Sequence, residues 1–418
     1  MLEDNRSATV PVGCKPSKYK VAIIAPTCFY YQIALFRTLS DNDRIDLTVY
    51  FCSDEGVSGT DLKVAYRTNN SWGVENELLE GYQYKFLRNH VPQGSYLKSL
   101  TGLVNLGVWR ELDRERPDAV VIMSWMNPTW WLTYLCCLKF RIPVFYMTDA
   151  NFYAEGSKST WKSWLKHSIL GKFLFPSTAG FLCSGTANRQ LYANYGVPEK
   201  KLIPFAYSWG YNALIREAIQ NTEKVPALRK QHGIPQDAVV VLYCGRLSEE
   251  KGLTELLRAY QMLSNPKKAL VLVGDGPLRG RMETLAGQPG FESVYFMGFQ
   301  NRKNIGRFYA LADLLVLPSH QETWGIVVNE ALCFSLPVIV SDQVGSGVDL
   351  VIPGENGHIF PAGDVLALAD RISKVIDLSN GDRIEMGKKS LQQIEEWEDR
   401  DLAKPLIEYL DSLVQARI

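Results

Sequence analysis

The chain has 418 residues, with 45 basic and 45 acidic side chains and a hydrophobic fraction of 46%. This length exceeds what one hydrophobic core usually serves, so we expect two domains of roughly 200 residues each. The net charge of zero provides no field that would concentrate a polyanion, which argues against a nucleic-acid partner. The eight cysteines show no CxxC pair and no zinc-ligand spacing, so a reducing cytoplasm is the expected location.

Residues 1–20 are polar and lack the apolar core of a secretory signal, so we predict a disordered lead-in. An uncharged stretch at 120–138 is nearly long enough to span a bilayer. Its interior, SWMNPT, has the composition of a turn. We therefore predict a buried strand at 118–123 followed by an apolar helix at 129–138.

Continuous apolar, β-rich runs recur through the first half of the chain: YKVAIIA, DLTVYFC, DAVVIM, PVFYM and AGFLCS. Such runs, separated by helical patterns, indicate a parallel sheet covered on both faces. Ligands of these sheets bind beyond the carboxyl ends of the strands. The loop after YKVAIIA places Tyr30 and Tyr31 at such an end. Their rings would narrow a cleft there or stack on a bound ligand.

Asp149 follows the run PVFYM, again at a carboxyl end. It is a candidate base, or a group that stabilises a developing positive charge, with capping of the next segment as an equal alternative. Further on, residues 157–175 would place Trp161, Trp164 and Ile169 on one helical stripe beside several lysines. Such a stripe either faces a core or rests on an anionic membrane surface. Peripheral contact with the inner face of a membrane therefore stays open.

Residues 207–236 are polar and contain no apolar run typical of a strand, so we place the domain boundary there. Residues 1–210 are expected to form the first domain and 211–396 the second, with a helix at about 397–418 packing back on the first. The second half again has continuous apolar runs: AVVVLYCG, ALVLVG, SVYFMG, DLLVLP and PVIVS. The predicted fold class is α/β, with two doubly wound, Rossmann-like parallel-sheet domains facing a cleft.

Arg246 and Lys251 lie on the loop between the run AVVVLYCG and the helical pattern LTELLRAY. A forked guanidinium and a point cation at a carboxyl end could together grip a diphosphate. The alternative is a pair of solvated loop cations that bind the neighbouring acidic residues Glu249 and Glu250.

Glu322 and Glu330 bracket the start of a predicted helix near Gly325, after the run DLLVLP. The first N–H groups of a helix form an anion site suited to phosphate. A carboxylate can accept hydrogen bonds from two vicinal hydroxyls, so one glutamate could hold a hexose and the other a ribose. The structural alternatives are helix capping by Glu322 and an exposed helix face for Glu330.

The set formed by Gly245-Arg246, Lys251, GDGP at 274–277 and the spaced glutamates resembles the retaining family 4 glycosyltransferases of the GT-B fold, over about residues 238–363. The resemblance implies that Arg246 and Lys251 contact a diphosphate. It also implies that Glu330 binds ribose hydroxyls and that Glu322, as a catalytic-site residue, binds the transferred sugar. The backbone of Thr323, Trp324, Gly325 and Ile326 would meet phosphate and sugar.

Phe299 falls where that family lodges the base, although a buried aromatic is as good an interpretation of this position. Gly274 would form a tight turn beside the donor. A dinucleotide fingerprint is disfavoured there because position 279 is Arg and the next strand ends without an acidic residue. In place of a histidine that many relatives carry near the reacting carbon, this chain has Thr148-Asp149-Ala150. This departure leaves the acceptor side, including Thr148, open. Where many relatives carry a glycine pair in the first loop, this chain has Tyr30 and Tyr31, which could stack on a sugar or lipid acceptor.

The expected activity is transfer of a sugar, with retention, from a nucleoside-diphosphate donor, expected to be a UDP-sugar, to a hydroxyl of a saccharide or lipid-linked acceptor. Polysaccharide or glycolipid synthesis is the setting that the resemblance implies. No cofactor or metal is expected, because fixed cations and a helix N-terminus can stabilise the departing diphosphate. The Asp-x-Asp sequence at 41–43 lies at the amino end of a strand and is interpreted as a solvated turn. A nucleotide-sugar epimerase and a non-catalytic nucleotide-binding protein remain as alternatives.

Overall fold

Two parallel β-sheets, one in each half of the chain, organise the computed structural model of this protein. The structure describes residues 18–55, 57, 78–91, 102–124, 127–153, 168–205, 225–398 and 403–415. All strand pairs within both sheets are parallel. The predicted doubly wound α/β class is therefore confirmed.

The first sheet has seven strands in the order β3-β2-β1-β4-β5-β6-β7. They are β1 (Tyr19–Ala25), β2 (Ile45–Phe51), β3 (Gln83–Phe86), β4 (Ala119–Ile122), β5 (Val144–Met147), β6 (Gly180–Cys183) and β7 (Leu202–Pro204). The chain order reverses beside β1, which pairs with both β2 and β4. Such a switch point opens a crevice at the carboxyl ends of the strands.

The second sheet has six strands in the order β10-β9-β8-β11-β12-β13, and its switch point lies beside β8. The strands are β8 (Val239–Cys244), β9 (Lys268–Val273), β10 (Val294–Gly298), β11 (Leu314–Leu317), β12 (Val338–Ser341) and β13 (Gly357–Phe360). Every residue of β8, β11 and β12 is buried, whereas the edge strand β10 is half-buried. This explains why the central strands read as continuous apolar runs.

Helices cover the two sheets on both faces. Those of the first half are α1 (Ile33–Ser40), α2 (Gly107–Glu115), α3 (Pro128–Phe140) and α4 (Thr186–Asn194). Those of the second half are α5 (Val225–Gln231), α6 (Leu253–Met262), α7 (Arg279–Ala286), α8 (Arg302–Leu311), α9 (Ile326–Cys333), α10 (Gly347–Leu350), α11 (Val365–Ile376), α12 (Asn380–Glu398) and α13 (Ala403–Gln415). Short turns of 3-10 or π helix occur at Tyr30–Gln32, Leu170–Leu174, Glu199–Lys201 and Glu249–Lys251, and a brief α-helical turn at Phe175–Ser177.

The uncharged stretch at 120–138 forms the end of β4 and most of α3, as predicted. The strand is fully buried, and α3 has 13 residues. Across the residues that the structure describes, no helix combines the length and apolar character required to traverse a bilayer. The stretch is thus an element pair of the first domain.

Helix α13 packs against the first domain, which confirms the predicted return of the C-terminal helix. The Tyr409 hydroxyl donates to the Ala179 carbonyl at 2.6 Å. Asp411 accepts from the Tyr19 hydroxyl at 2.7 Å and from Arg44 at 3.0 Å. The boundary at 210/211 lies in the segment 206–224, outside the described residues, and stays a prediction.

Candidate active site

The loops after β8 and β9 approach each other through backbone atoms. Gly274 has φ +139°, and a Cβ built on it would lie 1.8 Å from the Gly245 carbonyl oxygen. The Leu247 N–H donates to the Asp275 carbonyl at 3.0 Å, which fixes the two loops together. Only glycine fits at position 274. Gly274 therefore packs the loop after β9 directly against the loop that carries Arg246, and its role in a tight turn beside the donor stays a prediction.

A second close approach brings Lys251 to the segment after β11. Gly252 has φ +65°, and a Cβ on it would lie 2.1 Å from the Pro318 carbonyl oxygen. The neighbouring Lys251 ammonium donates a hydrogen bond to the Glu322 carboxylate. Their side chains are only 17% and 15% exposed. Two of the predicted donor-binding residues, 71 positions apart in sequence, therefore form a largely buried ion pair.

Arg246 is exposed on the same loop, at the carboxyl end of β8. Its carbonyl oxygen accepts from the Tyr243 hydroxyl at 2.8 Å, which holds the loop backbone. The acidic neighbours take other partners: Glu249 binds Arg281 at 3.2 Å, and Glu250 accepts from the Ser248 hydroxyl at 2.5 Å. The alternative interpretation of Lys251 as a cation bound by these neighbours is wrong, because its carboxylate partner is Glu322.

The turn before α9 lies against residues 343–346. Gly325, with φ +86°, is the N-cap residue of α9, and no side chain caps this helix. The interpretation of Glu322 as a helix cap is therefore wrong. The carbonyl of Trp324 accepts from the Ser346 N–H at 2.9 Å. The Trp324 indole is buried and donates to Asn329 at 2.9 Å, so only the backbone of this residue is placed to meet a ligand.

Glu330 lies in α9 with its carboxylate inside the domain. It is 3% exposed, which makes the interpretation as an exposed helix face wrong. Its carboxylate accepts a hydrogen bond from the Tyr309 hydroxyl, and the Tyr309 ring stacks on Phe334 at 5.4 Å. Burial, with the adjacent negative charges, raises the pKa of Tyr309 well above its ordinary value. Tyr309 therefore stays a hydrogen-bond donor that fixes this carboxylate.

Phe299 follows β10 and is half-buried. The Gly298 carbonyl accepts from the Gly274 N–H at 2.8 Å, so Phe299 lies beside the loop after β9. The structure thus brings Phe299, Gly274, Arg246, Lys251 and the two glutamates to the same edge of the second sheet. Their individual roles stay predictions.

Asp149 lies at the carboxyl end of β5 in the first domain. Its side chain reaches solvent but is surrounded by protein atoms in the cleft, and it lines a pocket with Tyr31. This desolvation raises the pKa of Asp149, and the negative charge of Glu322 adds to the effect. Two residues further along, the Asn151 amide donates to the Glu322 carbonyl at 2.9 Å, so Asp149 and Glu322 lie near each other on opposite domains.

The remaining predicted acceptor-side residues have different environments. Tyr31 stacks on Phe29 with ring centroids 5.4 Å apart and nearly parallel planes. Thr148 is buried, and its hydroxyl hydrogen-bonds to the Tyr192 hydroxyl at 3.0 Å, so it is tied to its own domain. The Tyr30 backbone belongs to the turn before α1, but its side chain lies outside the described residues.

The residues that connect the two domains were not predicted from the sequence. Asn151 is almost fully buried, and its amide donates to the carbonyls of Glu322 and Thr323, both at 2.9 Å. Thr186, at the start of α4, donates from its backbone N–H to the Asp349 carboxylate at 2.9 Å. The position of Asn151 on the loop after PVFYM was a weak signal, because its partners lie 171 and 172 residues away.

No group of three or more His, Cys, Asp or Glu side chains in the described ranges is arranged to hold a metal ion. The Asp-x-Asp sequence lies on the turn between α1 and β2, where Asp41 and Asp43 are exposed, as interpreted from the sequence.

The two facing Rossmann-like domains and the return of the last helix define the GT-B fold. Solved structures share it: Anabaena HepE in complex with UDP has a TM-score of 0.67 at 17% identity and covers 96% of this chain and 99% of that one. A glycosyltransferase from Rickettsia africae has a TM-score of 0.70 at 13% identity over 95% and 99% of the two chains.

A family model described as glycosyl transferases group 1 matches residues 224–393, in the second domain. An uncharacterized glycosyltransferase of Methanocaldococcus jannaschii is 36% identical over 214 residues, which is 50% of this chain and 53% of the relative. The alpha-monoglucosyldiacylglycerol synthase of Acholeplasma laidlawii is 32% identical over 33% and 35% of the two chains. The chain thus spans about half the length, or less, of these curated relatives.

Proposed function

We propose that the chain is a retaining, metal-independent glycosyltransferase that moves a sugar from a UDP-sugar to a hydroxyl of a saccharide or lipid-linked acceptor. The carrying observation is the contact between Lys251 and Glu322 at the start of α9, with Glu330 on the same helix. The family of residues 224–393 supports the reaction class. Relatives in glycolipid and teichuronic acid synthesis support polysaccharide or glycolipid synthesis as the setting.

The two charges of the ion pair suit the two parts of a sugar diphosphate: the ammonium suits the phosphate, and the carboxylate suits the sugar hydroxyls. When such a donor enters, the Lys251 ammonium can pass from the carboxylate to a phosphate oxygen. The Glu322 carboxylate is then released to accept hydrogen bonds from sugar hydroxyls. Neither charge is left without a partner in this exchange, which matters because the pair is largely buried.

Departure of the diphosphate places negative charge beside Arg246, Lys251 and the first N–H groups of α9. The backbone of the loops that carry these groups is already fixed by close contacts, so the donors lie near the charge before it develops. This is the physical reason for proposing a reaction that uses no metal. Glu330, held by Tyr309, is proposed to bind the ribose, and half-buried Phe299 to contact the base. UDP as the nucleotide is supported by the structural neighbour HepE, which was crystallised with UDP.

Asp149 faces the cleft opposite Glu322 and is the proposed catalytic group on the acceptor side. Its raised pKa favours proton uptake compared with an ordinary aspartate. It would accept the proton of the acceptor hydroxyl or stabilise positive charge on the sugar. Retention of configuration is carried over from the family 4 resemblance.

A ligand panel followed by product analysis tests the proposal. UDP, GDP and ADP, alone and as nucleotide sugars, are compared by thermal shift, since a ligand of the native state raises its stability according to affinity. We expect the UDP ligands to give the largest shift, with EDTA without effect. We also expect donor consumption to depend on acceptor. Release of a new sugar isomer from the donor alone would support an epimerase, and binding without turnover would support a non-catalytic protein.

We also propose peripheral contact of the first domain with an anionic membrane surface. Trp131, Leu135 and Leu138 follow one face of α3 and are 37%, 55% and 49% exposed. Lys139 and Arg141 lie at the end of this helix. An exposed apolar row beside basic residues is suited to a membrane interface.

The stripe predicted at 157–175 lies mostly outside the described residues, so α3 carries the membrane proposal. Flotation with phosphatidylglycerol vesicles, compared with phosphatidylcholine vesicles, tests it. The Leu135→Ser/Leu138→Ser variant should lose binding to the anionic vesicles, and equal binding by this variant and the unaltered protein would refute the assignment.

A further inference from the structure

A pocket in the first domain opens toward Asp149. Its apolar wall is formed by the stacked rings of Phe29 and Tyr31 together with Met123 and Met147. The space in and at the mouth of the pocket, counting the part open to solvent, is about 390 Å³. Aromatic and thioether groups around a small number of polar atoms are typical of a site for a small organic ligand.

Gln32 also lines this pocket, and the oxygen of its side-chain amide has no hydrogen-bond partner among the described residues. The side chain is 7% exposed. Its Oε1 atom is buried and has no hydrogen-bond partner among the described residues. A buried amide oxygen without a partner costs free energy, so native proteins rarely keep one unless a ligand or water fills it. Gln32 therefore points to a ligand that carries a hydrogen-bond donor.

The charge of the pocket restricts that ligand further. Asp149 is the charged group among the described lining residues, and no described lysine, arginine or histidine lines the pocket. Whether Asp149 is ionised or protonated, the lining offers no positive charge to a phosphate or carboxylate. An anionic ligand would lose its hydration without gaining a partner.

We propose that this pocket binds the acceptor sugar and selects an uncharged pyranoside over one that carries a carboxylate or phosphate. This inference rests on the proposed transferase function. The Gln32 amide binds a ring hydroxyl, and the wall of Phe29, Tyr31, Met123 and Met147 covers the apolar face of the ring. Another hydroxyl of the same ring then lies toward Asp149. Gln32 acts as a specificity-determining residue.

Binding of a matched pair of glycosides tests the proposal without requiring turnover. The probes are p-nitrophenyl β-D-glucopyranoside and p-nitrophenyl β-D-glucuronide. They differ only at C6, where the glucuronide has a carboxylate in place of the hydroxymethyl group of the glucoside. Saturation-transfer NMR on the full chain with UDP present measures their contact with the protein. We expect the glucoside to bind at least about tenfold more tightly than the glucuronide. Equal binding, tighter binding of the glucuronide, or no binding of the glucoside would overturn the proposal.

The Gln32→Leu variant tests the amide itself. It should weaken glucoside binding about three- to tenfold, the effect of one lost hydrogen bond. Its melting temperature should be no lower than that of the control Gln288→Leu, because Oε1 gives up no partner within the protein. Gln288 is exposed on the second domain, and its variant should bind the glucoside normally. Unchanged glucoside binding by Gln32→Leu would show that the amide has no part in recognition.

The two proposals fail in different ways. If the chain is not a transferase, no nucleotide sugar is consumed with any acceptor, whether or not the two glycosides bind. If the transferase proposal holds and the acceptor inference is wrong, donor turnover persists while the glucoside and glucuronide are not discriminated.

Discussion

Breaking the ion pair between Lys251 and Glu322 should affect nucleotide binding in opposite directions, depending on which partner is changed. Lys251→Met removes a charge-assisted hydrogen bond to phosphate, worth about 1.5–3 kcal/mol, so the Kd for UDP should rise about 10- to 100-fold. Glu322→Gln removes the carboxylate that competes with phosphate for the ammonium. UDP should then bind as tightly as before or more tightly, whereas kcat/KM for sugar transfer falls about 10- to 100-fold.

The burial of the pair sets the cost for stability. Loss of one partner of a buried pair costs about 3–5 kcal/mol, and loss of an exposed partner about 0–1 kcal/mol. With the two side chains 17% and 15% exposed, we expect about 2–3 kcal/mol for each single variant. The double variant Lys251→Met/Glu322→Gln leaves no uncompensated charge and should recover much of this stability, without recovering transfer.

Isothermal calorimetry with UDP, urea denaturation and transfer of radiolabelled sugar measure these three quantities separately. The double variant is the control for folding, since it should be more stable than either single variant without regaining transfer activity. If both single variants weakened UDP binding to the same degree, the pair would be a structural element of the loop and the proposed exchange of partners would be wrong.

Three further predictions concern other parts of the site. Tyr309→Phe removes the hydrogen-bond donor to buried Glu330, and we expect a loss of about 1–3 kcal/mol in unfolding free energy. Calorimetry should also show weaker UDP binding, and an unchanged Kd for UDP would contradict the proposed ribose site. Gly252→Ala places Cβ against a carbonyl oxygen at φ +65° and should lower the free energy of unfolding, measured by urea denaturation, by about 2–4 kcal/mol. The control Gly280→Ala has open space around its Cβ and should be neutral or stabilising by up to about 1 kcal/mol. Similar losses of unfolding free energy in both variants would refute the packing argument. The raised pKa of Asp149 means that the folded state binds the Asp149 proton more tightly than the unfolded state, so the stability that this proton contributes is lost as pH rises through the folded-state pKa. Asp149→Asn should therefore have a melting temperature no lower than that of the unaltered protein at pH 7, and its advantage in melting temperature should shrink toward about pH 4. A variant clearly less stable at pH 7 would contradict this sign.

The sheets and the outline of the candidate donor site could be predicted from local sequence patterns. Central strands such as β8 and β11 are buried on both faces, so their apolar runs were continuous and unambiguous. The spacing of Glu322 and Glu330 around the start of α9 is also local, because both residues belong to one turn and its helix. These features depend on neighbours within a few residues along the chain, where periodicity and turn chemistry carry the information.

Contacts between distant segments were decided only by the tertiary structure. Lys251 meets Glu322 because β8 and β11 are neighbours in the sheet and Gly252 lets their following segments touch. The Glu330 carboxylate is buried and accepts from Tyr309 on another helix, whereas the sequence pattern left an exposed face open as an alternative. Asn151 reaches the turn at Glu322 from the opposite domain. These partners are determined by the order of the strands and by the direction in which the side chains point. The residues next to each partner in sequence do not reveal either of these features.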